Sequence, residues 1–143
     1  MSGNRSARRR AREFVVQGLY QWQLGGQDGP AIEAHAMGVA GFDKADVGLY
    51  RALLEHTMED ALALQAALAP FIDREWAEVS PIERSILMLG ACEFKHFPET
   101  PYRVVINEAI ELAKSYGGTD GHKFVNGILD KLAPVLRPHE AKR

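Results

Sequence analysis

The sequence predicts an all-α protein of about seven helices joined by short loops. Three observations predict it. Apolar residues recur at helical spacing along most of the chain, no stretch alternates apolar with polar residues long enough for a strand, and glycine and proline gather at intervals that suit helix ends. With 143 residues, 46% of them hydrophobic and 25% charged, the chain suffices for one compact domain with a core of its own. A single domain over residues 1–143 is expected, with a connector around 70–80 dividing it into helical halves, roughly 1–75 and 76–143.

The first helix is expected from about Arg5 to Leu24, stopped by Gly25-Gly26-Gln27-Asp28-Gly29. Pro30 suits the first turn of a second helix reaching about Ala40, and Gly41 ends it. Asp43 is a fair cap for a third helix over 43–56, and Thr57 for a fourth over 57–69, which Pro70 would break. Ser80-Pro81-Ile82-Glu83 is the clearest start in the chain: serine caps, proline takes the first helical position, and the glutamate completes a capping box. The helix that follows, to about His96, is apolar on nearly every side and belongs in the middle of a bundle. Beyond the rigid Phe97-Pro98-Glu99-Thr100-Pro101 connector, a helix over 102–116 stops at Gly117-Gly118. Thr119 or Asp120 caps the last helix, expected to end near Ala133 before Pro134, with a frayed polar tail from Arg137.

Charge is unevenly spread. Residues 1–25 hold five arginines against Glu13, residues 26–100 hold 13 acids against 5 bases, and residues 101–143 hold 7 bases against 5 acids. If the basic ends meet, they make a positive surface for a polyanion beside an acidic surface for a basic protein. At about 100° per residue, Arg5, Arg8, Arg9 and Arg12 fall within a quarter turn, continued by Val16 and Tyr20. Ala7, Ala11, Phe14, Val15, Gly18 and Trp22 form the opposing apolar stripe. That pattern predicts a row of guanidinium groups facing solvent, suited to phosphate by their planar forks, with a tyrosine ring on which an unpaired base can stack. On the last helix, Phe124 falls at the edge of the apolar face beside Lys123, where it serves either as half-buried core or as a stacking platform. Gly127 in mid-helix costs about 1 kcal/mol relative to alanine, which points to close packing by another helix or by a ligand.

Several functions are excluded or discounted. No apolar run approaches the ~20 residues of a membrane span, and no apolar segment follows the first arginines as in a secretory leader, so a cytoplasmic location is expected. The single cysteine, Cys92, lies in an apolar run and reads as an inert buried thiol. Glu93-x-x-His96 is one half of a di-iron motif with no second copy; Glu93, on the stripe of Ile82, Ile86 and Leu89, needs a partner such as an arginine or a helix N-terminus. His35, His56, His122 and His139 lack metal-ligand spacing, and there is no phosphate-binding loop or nucleophile elbow. No metal, cofactor or catalytic residue is expected, and the protein is not expected to be an enzyme.

Taken together, Ala7-Arg8-Arg9-Arg10-Ala11-Arg12-Glu13, Gln17-Gly18-Leu19-Tyr20-Gln21-Trp22-Gln23-Leu24, the run from Pro101 to Gly117 and His122-Lys123-Phe124-Val125-Asn126-Gly127-Ile128-Leu129-Asp130-Lys131 resemble the NusB family of bacterial transcription antitermination factors. The resemblance spans the chain, is weak across 26–80, and departs at the glycine-rich Gly117-Gly118-Thr119-Asp120-Gly121. It implies two packed helical subdomains, and binding of boxA RNA of rRNA operons together with the ribosomal protein NusE. It also implies a place in the RNA polymerase antitermination complex with other Nus factors. It carries an RNA-binding role to Arg8, Arg9, Arg10, Arg12, Tyr20, Asp120, Lys123 and Phe124, and a NusE contact to Glu83. Some family members pair as homodimers, and the sequence leaves oligomeric state open. Two rivals remain: a NusB-like module such as the N-terminal domain of an rRNA cytosine methyltransferase, and a helical scaffold that binds only protein. No glycine-rich cofactor loop after a strand is present to support catalysis.

Overall fold

A computed structural model describes residues 6–141. Seven α-helices follow one another: α1 (Ala7–Gly25), α2 (Gly29–Met37), α3 (Val47–Glu59), α4 (Ala61–Leu68), α5 (Pro81–His96), α6 (Tyr102–Tyr116) and α7 (Gly121–Leu136). Short 3-10 turns lie at Phe42–Lys44, Ala69–Phe71 and Trp76–Glu78, and no strand occurs among the described residues. Arg5 lies outside them.

Helix α5 is the axle of the bundle. Every residue from Ser85 to Phe94 is buried, and the helix packs against α1, α3, α4, α6 and α7. Its start has the predicted serine cap and proline, with Ser80 Oγ accepting from the Glu83 amide at 3.2 Å and Pro81 at the first helical position, but the Glu83 carboxylate turns to Gly121 of α7 instead of completing a capping box. Gly90 lets α7 come close: a β-carbon there would sit 2.8 Å from Leu129 Cδ1. One continuous apolar core joins α1–α4 to α5–α7, so α5 is shared between the two halves rather than confined to one. Cys92 lies wholly inside this core, and burial pushes its thiol up to about 12, which keeps it protonated and inert.

Several boundaries differ from expectation, and α2 ends at Met37, capped by Gly38, rather than near Ala40. Asp46, not Asp43, caps α3, because Gly41, in the left-handed region at φ 95°, turns the chain into the 42–44 turn first. Asp46 Oδ1 then accepts from the Leu49 amide at 3.0 Å. Thr57 is no cap: it is buried inside α3, where its hydroxyl donates to the Leu53 carbonyl at 2.6 Å, and α4 starts after Asp60. Helix α7 runs through Pro134 to Leu136, closed by the Arg137 amide on the Ala133 carbonyl at 2.7 Å. The tail does not fray at Arg137. That side chain is buried, and its guanidinium donates to the carbonyls of Glu93, Phe94 and Phe97, which caps the C-terminus of α5 with a cation.

Candidate nucleic-acid interface

Ser6 starts α1, its hydroxyl accepting from the Arg9 amide at 3.0 Å, and the helix sinks into the bundle within two turns. That descent splits the arginine row. Arg8 is exposed, with Asp46 4.0 Å away. Arg9 is half-exposed and held by Glu108 of α6, with Nε donating to Oε1 at 3.0 Å and Nη2 to Oε2 at 2.9 Å. The hydrogen bonds that Arg9 donates to Glu108 raise its pKa above the ordinary value. Arg10 is half-buried and reaches the Gly41 turn.

Arg12 corrects the expected row. It is 3% exposed, and both arms of its guanidinium donate to the Glu93 carboxylate at 2.8 Å. Val16, one turn on, is fully buried as well. The helical wheel gave their direction correctly, but α1 packs against α5 there, so this face is covered after the first turn. The pair also answers the demand of Glu93 for a partner. Arg12 therefore faces inward and is not available to RNA in this fold.

Helices α1 and α6 both pack on α5, and long side chains bridge them at two points in parallel register. The Arg9–Glu108 pair and the bond from Gln17 Nε2 to Tyr116 Oη (3.0 Å) are each separated by 99 residues. Both helices thus advance together by about 12 Å between the two contacts. Tyr20, 37% exposed, lies about 20° from Arg9 around α1 and one turn beyond it is the helix end. Next to the end of α6 comes the 117–120 loop, and then α7. The two sequence-distant motifs therefore share one side of the molecule. That side is less basic than the sequence tally predicts, because Glu108 neutralises Arg9 and Glu111 lies 3.8 Å from Lys114.

At the start of α7, Asp120 and Lys123 are both exposed and 3.4 Å apart. Phe124 is half-buried: one part of its ring packs on the core, and the Arg74 guanidinium lies 4.6 Å from its centroid. Arg74 comes from the 72–75 connector and was not singled out by sequence reasoning, since nothing local links it to a residue 50 positions away. Gly127 has open space where a β-carbon would stand, so no neighbouring helix explains it. The glycine instead bares the backbone on a strip flanked by the exposed Lys123 and Lys131.

Glu83 is half-buried in the first turn of α5. Its Oε2 is 2.7 Å from the place of a β-carbon on the buried Gly121, so the carboxylate rests against the first residue of α7, at the positive end of that helix. Nearby, Gln23 Nε2 donates to the Pro81 carbonyl at 3.1 Å and to Ser85 Oγ at 2.7 Å, tying the end of α1 to the start of α5. The expected partner residue and the expected RNA motif are thus neighbours.

Among the described residues no group of three or more His, Cys, Asp or Glu side chains could hold a metal ion, and no helix is long and apolar enough to cross a membrane.

The comparisons agree with this architecture. The NusB family model matches residues 9–134. A transcription antitermination protein NusB from Aromatoleum aromaticum is 59% identical over 137 residues, covering 96% of this chain and 94% of the relative. One of the same name from Azoarcus sp. strain BH72 is 59% identical over 140 residues, covering 97% and 90%. Among solved structures, T. maritima NusB superposes with a TM-score of 0.79 at 29% identity, covering 87% of this chain and 89% of that one. A crystal structure of antitermination factors NusB and NusE in complex with dsRNA shares the fold, with a TM-score of 0.76 at 21% identity over 90% and 97% of the chains. With a family match across residues 9–134 and relatives this similar along nearly their whole length, the chain belongs to the NusB family.

Proposed function

We propose that this protein is a transcription antitermination factor. It binds boxA RNA of rRNA operons together with the ribosomal protein NusE, and acts in the cytoplasm within the RNA polymerase antitermination complex. Relatives of 59% identity carry the antitermination name, and a structural neighbour was crystallised with NusE and dsRNA. The observation that carries the reading is the pair of side-chain bridges, Arg9–Glu108 and Gln17–Tyr116, that tie α1 to α6 in parallel register. It supports one RNA track from the arginine end of α1, past Tyr20, to the start of α7.

On that track Arg8 and Arg10 neutralise phosphate, and Arg9 does so once it leaves Glu108. Tyr20 offers a ring to an unpaired base. Lys123 meets phosphate. Asp120, which phosphate repels, accepts a hydrogen bond from a ribose 2′-hydroxyl or a base amine. Phe124 anchors the far end, and Glu83 beside it contacts NusE. The chemistry is binding rather than catalysis.

The test is fluorescence anisotropy of a labelled boxA RNA titrated with the protein, with and without NusE, against a scrambled RNA of equal length and over a salt series. Preferential boxA binding that NusE strengthens is expected. Equal affinity for both RNAs would reduce the protein to a basic helical binder, and no binding in any arm would leave a protein-only scaffold.

A further inference from the structure

We infer that Arg74 is an RNA-contacting residue, and that Phe124 is the platform that holds its guanidinium plane in place; this rests on the RNA-binding reading above. The geometry is specific. The Arg74 guanidinium carbon stands 4.6 Å from the Phe124 ring centroid, within the range of a cation–π stack. Its Nε donates to Asp73 Oδ1 at 2.9 Å, which fixes the fork at one edge. No other hydrogen bond to this guanidinium is made among the described residues. Asp73 is held below the usual carboxylate range, first by that bond. The Arg74 side chain is still 43% exposed, so the guanidinium rests over the ring and keeps access to solvent.

An unpaired base approaching α7 meets this plane before it meets the ring. Phe124 packs against the core, and Arg74 lies over its ring. Guanidinium planes accept stacked bases as aromatic rings do, and add a charge that phosphate can use. The surface continues beside the stack. Gly127, one turn after Phe124, has nothing within 4 Å of a β-carbon position. Lys123 and Lys131, both exposed, lie to either side of it. A nucleotide stacked on Arg74 can lay its backbone against this bare stretch of helix between two ammonium groups.

The test is boxA RNA anisotropy in the presence of NusE with R74A, R74K, F124L and the R74A/F124L double variant, each checked for an unchanged thermal melt. R74A is expected to weaken boxA binding on the order of tenfold, as loss of one stacked base does. R74K should be as weak as R74A, because lysine keeps the charge and loses the plane. F124L keeps apolar packing but removes the ring, and the double variant should be no weaker than R74A, because the two residues act as one unit. Wild-type affinity in R74A, or tighter binding through an uncovered ring, would overturn the assignment. So would full rescue by R74K, or additive losses in the double variant. If the wild-type protein shows no preference for boxA over scrambled RNA, the antitermination reading itself fails, which is a separate outcome from any of these.

Discussion

Removing the Arg12 guanidinium would leave the Glu93 carboxylate buried at the centre of the bundle with its two charge-assisted bonds gone. Breaking a buried pair from one side typically costs about 3–5 kcal/mol, since the surviving charge cannot regain water. Arg12→Ala should lose that much stability in a urea melt, and a loss under about 1 kcal/mol would mean that the pair is not buried as described. Arg8, one turn earlier and exposed, should behave in the opposite way: Arg8→Ala should leave the melt unchanged and reduce the salt dependence of RNA binding by about one phosphate contact. The contrast marks how far the site could be read from the sequence. Periodicity assigns each arginine an azimuth, and composition shows that Glu93 needs a partner. Neither gives depth, because depth depends on α5 lying over α1, a contact between residues 81 positions apart. The Arg9–Glu108 and Arg74–Phe124 pairings were hidden for the same reason.

At the scale of elements, local chemistry was legible where it was decisive. The serine cap and proline of α5 form where Ser80-Pro81-Ile82-Glu83 predicts them, and the apolar surround of that helix does put it in the centre. Helix ends shifted where packing overrode a local signal: Thr57 turns inward to bond Leu53, and α7 continues past Pro134 because its apolar face stays docked to Leu136. Helix α7 holds the most telling glycine. Gly127 is exposed, helical and without a protein neighbour, so alanine fits without strain and should stabilise the protein by about 1 kcal/mol. The same methyl would stand on the strip between Lys123 and Lys131. Gly127→Ala should therefore raise the melting midpoint and weaken boxA binding together, a combination that general destabilisation cannot produce. Raised stability with unchanged RNA affinity would show that the strip is bare for no reason connected with RNA.

Across the whole molecule, α5 connects the surfaces. Its start carries Glu83 against Gly121 of α7, and the neighbouring Pro81 and Ser85 hold Gln23 at the end of α1. The helix that joins the two halves therefore begins where the expected NusE contact and the expected RNA motif adjoin. Adjacency of this kind suggests a physical source for cooperativity: a basic partner docked on Glu83 stands at the entrance to α7 and can extend the same RNA track. Glu83→Gln keeps the shape against Gly121 but removes the charge, so α7 should stay docked. Affinity of the isolated protein for boxA should then change by less than about twofold, since Glu83 makes no phosphate contact. The strengthening of RNA binding by NusE should fall on the order of tenfold, the size of coupling that a contact shared by two sites supports. The measurement is a closed binding cycle, with RNA and NusE titrated separately and together. Equal loss in both RNA arms would make Glu83 a structural support for α7, whereas an intact coupling would remove it from the NusE surface and move the partner site to another part of the acidic middle of the chain.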